Sequence, residues 1–153
     1  MGGLHNRIPP PLVALLFAVL MGLLARWTPG LAAGLGLRLL LALPLVVLGL
    51  GVALLGAVAF RQARTTVNPL KPEAASALVS SGIYRYTRNP MYLGFALVLT
   101  AWGLYLAAPL ALLGVAGFIL YMNRWQIAAE EQALGRLFGS EFAAYRQQVR
   151  RWL

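Results

Sequence analysis

The chain has no cysteine, no aspartate and one histidine, His5, near its start. These absences remove disulfides, thiolate chemistry and any Cys/His metal cluster, so no metal ligands are expected. A Ser-His-Asp triad cannot be assembled either. Charge is scarce: 11% of the 153 residues are charged and 60% are apolar. Soluble domains carry about a quarter charged residues, so the composition is that of a membrane protein. Acids are the rarer sign, which leaves a net charge of +9. No soluble basic domain with interleaved aromatics is present to take RNA or DNA, so nucleic acid is not an expected partner. Positive-inside bias and attraction to anionic lipid account for the charge better. An enzyme this poor in reactive side chains would depend on a cofactor for its reactive group.

What the chain does have is long apolar runs. Pro9 to Trp27 is apolar except for Arg26. At ~1.5 Å per residue it approaches the ~30 Å hydrocarbon core. A cleaved signal peptide is the rival reading, but no small-x-small cleavage pattern follows, which favours a retained span. Thr28-Pro29-Gly30 reads as a turn. Leu39 to Phe60 holds no charge over 22 residues, and Pro44 offers a kink. Gly49, Ala53 and Ala57 recur every four residues, a pattern that permits close helix contact or simply reflects a composition rich in small residues. Arg61 to Pro90 is a polar connection, with breakers at Asn68-Pro69 and Lys71-Pro72. A short interfacial helical turn is expected from Pro72-Glu73-Ala74-Ala75. Met91 to Met122 then runs 32 residues without a charge, ~48 Å as one helix. That is too long for one span, and Ala107-Ala108-Pro109 is the expected break of a helical hairpin. Trp125 to Leu153 changes character. Ile127, Leu134 and Phe138 mark one helical stripe, Gly139 a stop, Ser140 a cap, and Phe142, Tyr145 and Val149 a second stripe. Such a tail could lie on the membrane or cover the protein's own site.

The expected fold is therefore all-α: a polytopic membrane protein forming one domain over 1–153. Its four spans fall near 9–27, 39–60, 91–108 and 109–123, and a helical tail follows at 124–153. With four spans, 11 of the 13 Lys and Arg share one side with both termini. The positive-inside rule makes that side cytoplasmic, and the absence of eukaryotic sorting signals points to a prokaryotic plasma membrane.

Two stretches stand out on that side. Glu130-Glu131 is the one acidic pair, and neither residue has a basic neighbour four positions away. Either both acids are solvated, or they find partners across the fold or on a ligand. Arg88-Asn89-Pro90-Met91-Tyr92-Leu93-Gly94 sits where the polar connection enters a helix. Pro90 suits the first turn, whose free N–H groups and partial positive charge favour anions. Arg88 adds a planar donor fork, and Gly94 leaves space beside the backbone. An interfacial anchor of Arg and Tyr is the plain alternative.

These stretches resemble the isoprenylcysteine carboxyl methyltransferase and phospholipid methyltransferase superfamily of integral membrane enzymes. Its pattern Gly-x-Tyr-Arg-x-x-Arg-His-Pro-x-Tyr-x-Gly is matched by Gly82 to Gly94. Glu-Glu-x-x-Leu is matched by Glu130 to Leu134, and Phe-Gly-x-Glu-Tyr-x-x-Tyr by Phe138 to Tyr145, with Phe142 where the family has its first Tyr. The departure in the first motif is Asn89, where the family often has His. Asn cannot titrate, which weakens transfer of an acid/base role or of the prenylcysteine substrate to this chain. The resemblance implies S-adenosylmethionine as methyl donor. Asn89, Pro90, Tyr92, Leu93 and Gly94 would form one wall of its site, and Glu130 and Glu131 would bind its polar groups. Arg88 would be the catalytic residue that holds an anionic acceptor. The acceptor would be an amphiphilic or lipid-attached molecule reaching the site from the bilayer. Tyr92 or Tyr86 could favour the sulfonium. Two other readings stay open: a sterol-type reductase using NADPH, against which the acidic pair argues, and a non-catalytic membrane scaffold.

Overall fold

A computed structural model describes residues 8–64 and 74–153. The breakers at Asn68-Pro69 and Lys71-Pro72, and the start of the expected helix at Pro72, lie outside the described residues. All regular structure within them is helical. Helix α1 is Pro10–Trp27 and α2 is Leu35–Gln62; α3 is Pro90–Leu106 and α4 is Leu113–Tyr121. A π-helical stretch, Met122–Ile127, joins α4 to α5, Ala128–Gln148. Among the described residues three helices are long and apolar enough to cross a membrane, and Pro90–Leu106 is a shorter apolar helix beside them. The chain is an all-helical, polytopic membrane protein.

Local sequence sets the boundaries. Pro10 and Pro90 occupy first turns, where the missing N–H costs nothing. The hairpin turn falls where expected. Ala107 adopts a left-handed conformation, φ 51°, and closes α3 with its N–H on Leu104 O. Leu31 N–H donates to Ala107 O at 2.6 Å, tying the α1–α2 loop to this turn at one end of the bundle. Helix α2, beginning at Leu35, contains the charge-free run 39–60. One expectation needs correction. The second arm of the hairpin does not end at Asn123: backbone bonding passes through the π stretch without a break and carries the helix on to the tail.

Helix α3 is the hub. On one side it meets α2 through bare backbone. A β-carbon built on Gly94 would lie 2.5 Å from Gly49 O and 2.8 Å from Ala53 Cβ, so only glycine fits. Gly49 and Ala53 of the four-residue pattern therefore serve close helix contact. On its other side α3 packs with α1 and α4 around Val13, Met21, Leu99, Phe118 and Met122. Trp102 Nε1 donates to Ala18 O at 3.0 Å across that contact. A second apolar cluster lies at the opposite end from the hairpin turn. There Phe142, Tyr145 and Val149 of the tail pack on Ala59, Val79 and Tyr84, with Leu134 and Phe138 alongside. Both tail stripes thus turn inward, and the tail covers the protein rather than lying apart from it. Gly139, at φ 48°, makes the bend in α5 that permits this.

Candidate functional site

The covered end brings the two singled-out stretches together. The short 3-10 turn Gly82–Arg85 and the extended residues after it deliver Arg88 to the entrance of α3. Helix α5 presents Glu131 opposite. Arg88 Nη2 donates to Glu131 Oε1 at 2.7 Å, and Arg151 Nη2 donates to Glu131 Oε2 at 2.6 Å. Arg151 Nε adds a third bond, to Oε1 at 3.1 Å. Arg88 and Glu131 side chains are each 11% exposed, and Arg151 is 34% exposed. Burial pushes the Glu131 carboxyl upward, but the two guanidinium groups outweigh it and hold the group below the usual range.

Arg88 is also a clamp on the tail. Its Nη1 donates to Val149 O at 2.6 Å and Arg146 O at 3.2 Å, satisfying carbonyls where α5 ends. Its backbone N–H donates to Arg150 O at 3.0 Å. Thr87 Oγ1 and Asn89 Nδ2 both donate to Arg151 O, at 3.3 and 2.9 Å. Asn89 thus ties α3 to the chain end, a task for its amide donor that needs no titration. Arg151 Nη1 and Trp152 Nε1 both donate to Asn123 Oδ1, closing the loop onto the π stretch. Among the described residues one buried donor stays unmet, Arg88 Nε.

Glu130 points elsewhere. The Tyr92 hydroxyl donates to Glu130 Oε1, and Gln126 Nε2 donates to the same oxygen at 2.7 Å. Glu130 lies beyond the apolar part of its helix, and burial pushes its carboxyl up to about 7. The two hydrogen bonds oppose that rise and the neighbouring Glu131 charge adds to it. Adjacent in sequence, the two acids occupy different surroundings.

Beside Glu131 lies a cleft of about 470 Å³ lined by Gln132, Gly135, Arg136, Arg146 and Arg151. Pro90 is buried at the base of α3 against Gly56, and Leu93 is half-buried one turn up. Two expectations change. The bare face of Gly94 is filled by α2, so it does not receive a flat group. The Tyr86 ring stands 72% exposed, away from the buried Tyr92. Of the two readings left open for Glu130 and Glu131, solvated acids or acids with partners across the fold, the structure shows partners across the fold. Sequence reasoning missed Arg151, Asn123 and Gln126. Gln126 stands four residues before Glu130, and although it is not a base its amide donates.

The phospholipid methyltransferase family model matches residues 37–141 of this chain. An uncharacterized protein of Haemophilus influenzae is 54% identical over 63 residues, which is 41% of this chain and the whole of that relative.

Proposed function

Because the chain belongs to the phospholipid methyltransferase family, we propose that it transfers a methyl group from S-adenosylmethionine to a lipid-like or lipid-attached acceptor. The reaction takes place at the cytoplasmic face of the plasma membrane, on the side where the basic residues gather with both termini. The observation that carries this reading is the ion cluster of Arg88 and Arg151 on Glu131, beside an arginine-lined cleft.

The donor set suits the cofactor's amino-acid end. Arg136 and Arg146 suit a carboxylate. Glu131 accepts three bonds from arginine and keeps capacity for an amino or hydroxyl group, since a carboxylate offers about four acceptor positions. Asn89, Pro90 and Leu93 belong to the wall that fixes the start of α3. Gly94 holds that wall against α2, and the ring of Tyr92 backs it. When bound, the cofactor supplies an activated methyl group on a sulfonium. The protein then needs no nucleophile of its own. Its residues bind, align and exclude water, and alignment is worth ~7–11 kcal/mol.

The test is calorimetric titration of detergent-purified protein with S-adenosylhomocysteine. Saturable binding is expected in the wild type, lost in Glu131→Ala and weakened at least tenfold in Arg136→Ala/Arg146→Ala, which leaves the ion cluster intact. Binding unchanged in both variants, or binding of NADPH in its place, would overturn the reading.

A further inference from the structure

The end of the bundle away from Glu131 holds a second cavity, of about 180 Å³, between the start of α2 and the hairpin turn. Leu37 and Leu41 of α2, Leu104 of α3, and Pro109 and Leu112 beyond the turn line it. Arg38 is the one polar side chain in its lining. Leu37 and Leu41 are about half exposed although apolar, so the cavity is a surface groove rather than a sealed void. Arg38 is half-buried, and its Nε donates to Ala33 O at 2.9 Å, which fixes the guanidinium plane at the groove. Among the described residues its two Nη groups meet no acceptor. The described acids are Glu130, Glu131 and Glu141, all on α5, and the first turn of α2 carries none. No described carboxylate therefore answers this charge. Depth matters too. The 22 residues from Leu39 to Phe60 carry no charge and span ~33 Å as a helix, close to the ~30 Å hydrocarbon core. Arg38, at the head of that run, stands at headgroup level.

We propose that this groove binds an anionic phospholipid from the leaflet at the hairpin-turn end, with its phosphate on Arg38 and part of one acyl chain among the leucines. The inference does not rest on methyl transfer, and it concerns the opposite end of the molecule from the Glu131 site. A guanidinium held in one plane offers a donor fork that matches phosphate oxygens. A half-buried cation at a membrane boundary is stabilised by a counter-ion, and phosphate is the anion that headgroup depth supplies. A zwitterionic lipid brings its own cation to its phosphate and so competes with Arg38, whereas an anionic headgroup does not. The volume sets how much of the lipid is held. It falls below the ~300–1,000 Å³ of sites that enclose a small molecule, so the groove seats a few methylene groups and leaves the rest in the bilayer. Arg26, near the end of α1, provides an internal comparison: it is exposed and lies outside the groove lining. The bond from Leu31 N–H to Ala107 O already joins two walls of the groove, and a seated lipid adds contacts from α2 to the hairpin turn.

The test counts lipids on the full chain, purified in nonionic detergent, by native mass spectrometry. Dioleoylphosphatidylglycerol, dioleoylphosphatidylcholine and dioleoylglycerol are compared. The wild type is expected to bind its first phosphatidylglycerol about fivefold or more tightly than phosphatidylcholine, the scale of one basic residue's attraction to an anionic headgroup, and dioleoylglycerol most weakly. Arg38→Gln should lose that preference, and Arg26→Gln should keep it. Arg38→Lys, which keeps the charge without the planar fork, should keep part of it. Leu41→Asn should weaken both phospholipids alike and leave their ratio unchanged. No preference in the wild type, a preference kept in Arg38→Gln, or an equal loss in Arg26→Gln each overturns the proposal. Calorimetry with sn-glycerol 3-phosphate separates a lipid from a free phosphate: binding as tight as that of phosphatidylglycerol would show that the acyl chain adds nothing, and the lipid site falls. If Arg38 served only to fix the loop through Ala33 O, Arg38→Gln would lower the thermal midpoint in lipid-free detergent and weaken all three lipids equally, which would remove it as the headgroup ligand.

Discussion

The α2–α3 contact and the covered polar end are held by different physics. Between α2 and α3 the contact is steric: Gly49, Ala53 and Gly94 let two backbones touch, and no side-chain hydrogen bond is involved. At the polar end an apolar cluster is joined by a dense set of donated hydrogen bonds, and many acceptors are main-chain carbonyls of residues 146–151. The first contact tolerates no added volume, and the second tolerates no lost donor or charge. The bundle is thus held by shape, and the tail is held mainly by polar ties and one apolar cluster.

The sharpest way to break this contrast is Glu131→Ala. It strands two guanidinium groups, one of them buried, and removing one partner of a buried pair costs about 3–5 kcal/mol. Hydrogen exchange should rise at residues 149–152 and stay slow in α3; a rise throughout α3 would show that the two regions are not separable. Next is Gly94→Leu, where overpacking costs about 1–3 kcal/mol. The thermal midpoint in detergent should fall while the Glu131 ion pairs survive. Tyr145→Phe is the smallest perturbation. The hydroxyl donates to Tyr84 O at 2.7 Å, and its loss should cost about 1 kcal/mol, seen as faster exchange in the tail alone.

Acidity sharpens the comparison within the polar end. Glu131 titrates below its unfolded value when folded, so its contribution is present above the unfolded pKa and lost as pH falls through the lower, folded one. Glu130 behaves oppositely. Its folded value, about 7, lies above the unfolded one, so its contribution is full below the unfolded pKa and lost as pH rises through about 7. Attachment of the tail, followed by exchange at residues 149–152, should pass through a maximum at mildly acidic pH. A monotonic rise to pH 8 would show that Glu130 is not buried as described.

Much of this was legible in the sequence because it rests on local chemistry. Pro90 marks the start of α3, Ala107-Ala108-Pro109 marks the hairpin turn, and Gly139 marks the bend in the tail. The isolation of Glu130 and Glu131 from basic neighbours left two outcomes open, solvation or partners across the fold. What could not be read was which partner each acid takes. That depends on the phase of α5 relative to α3, and the phase is set by a π stretch with no evident signature. Nor could Arg151 be told apart from Arg150, because the difference lies in which way a short extended segment faces. Gly94 shows the converse. The space beside its backbone was visible, but what fills it, α2, lies far away in sequence.

The π stretch also makes the site a matter of counting. Successive residues of an α-helix are turned by about 100°, and that turn separates Glu130, facing Tyr92, from Glu131, facing the arginines. Deleting a single residue within α4, with the π stretch 122–127 kept, would carry everything after it one step around the axis. Glu131 would then stand in the place of Glu130, and Gln132 in that of Glu131. The composition of the site would hardly change, yet the carboxylate would be gone from the arginines. The identity of each acid is thus written in the winding of the helix before it as much as in its own side chain.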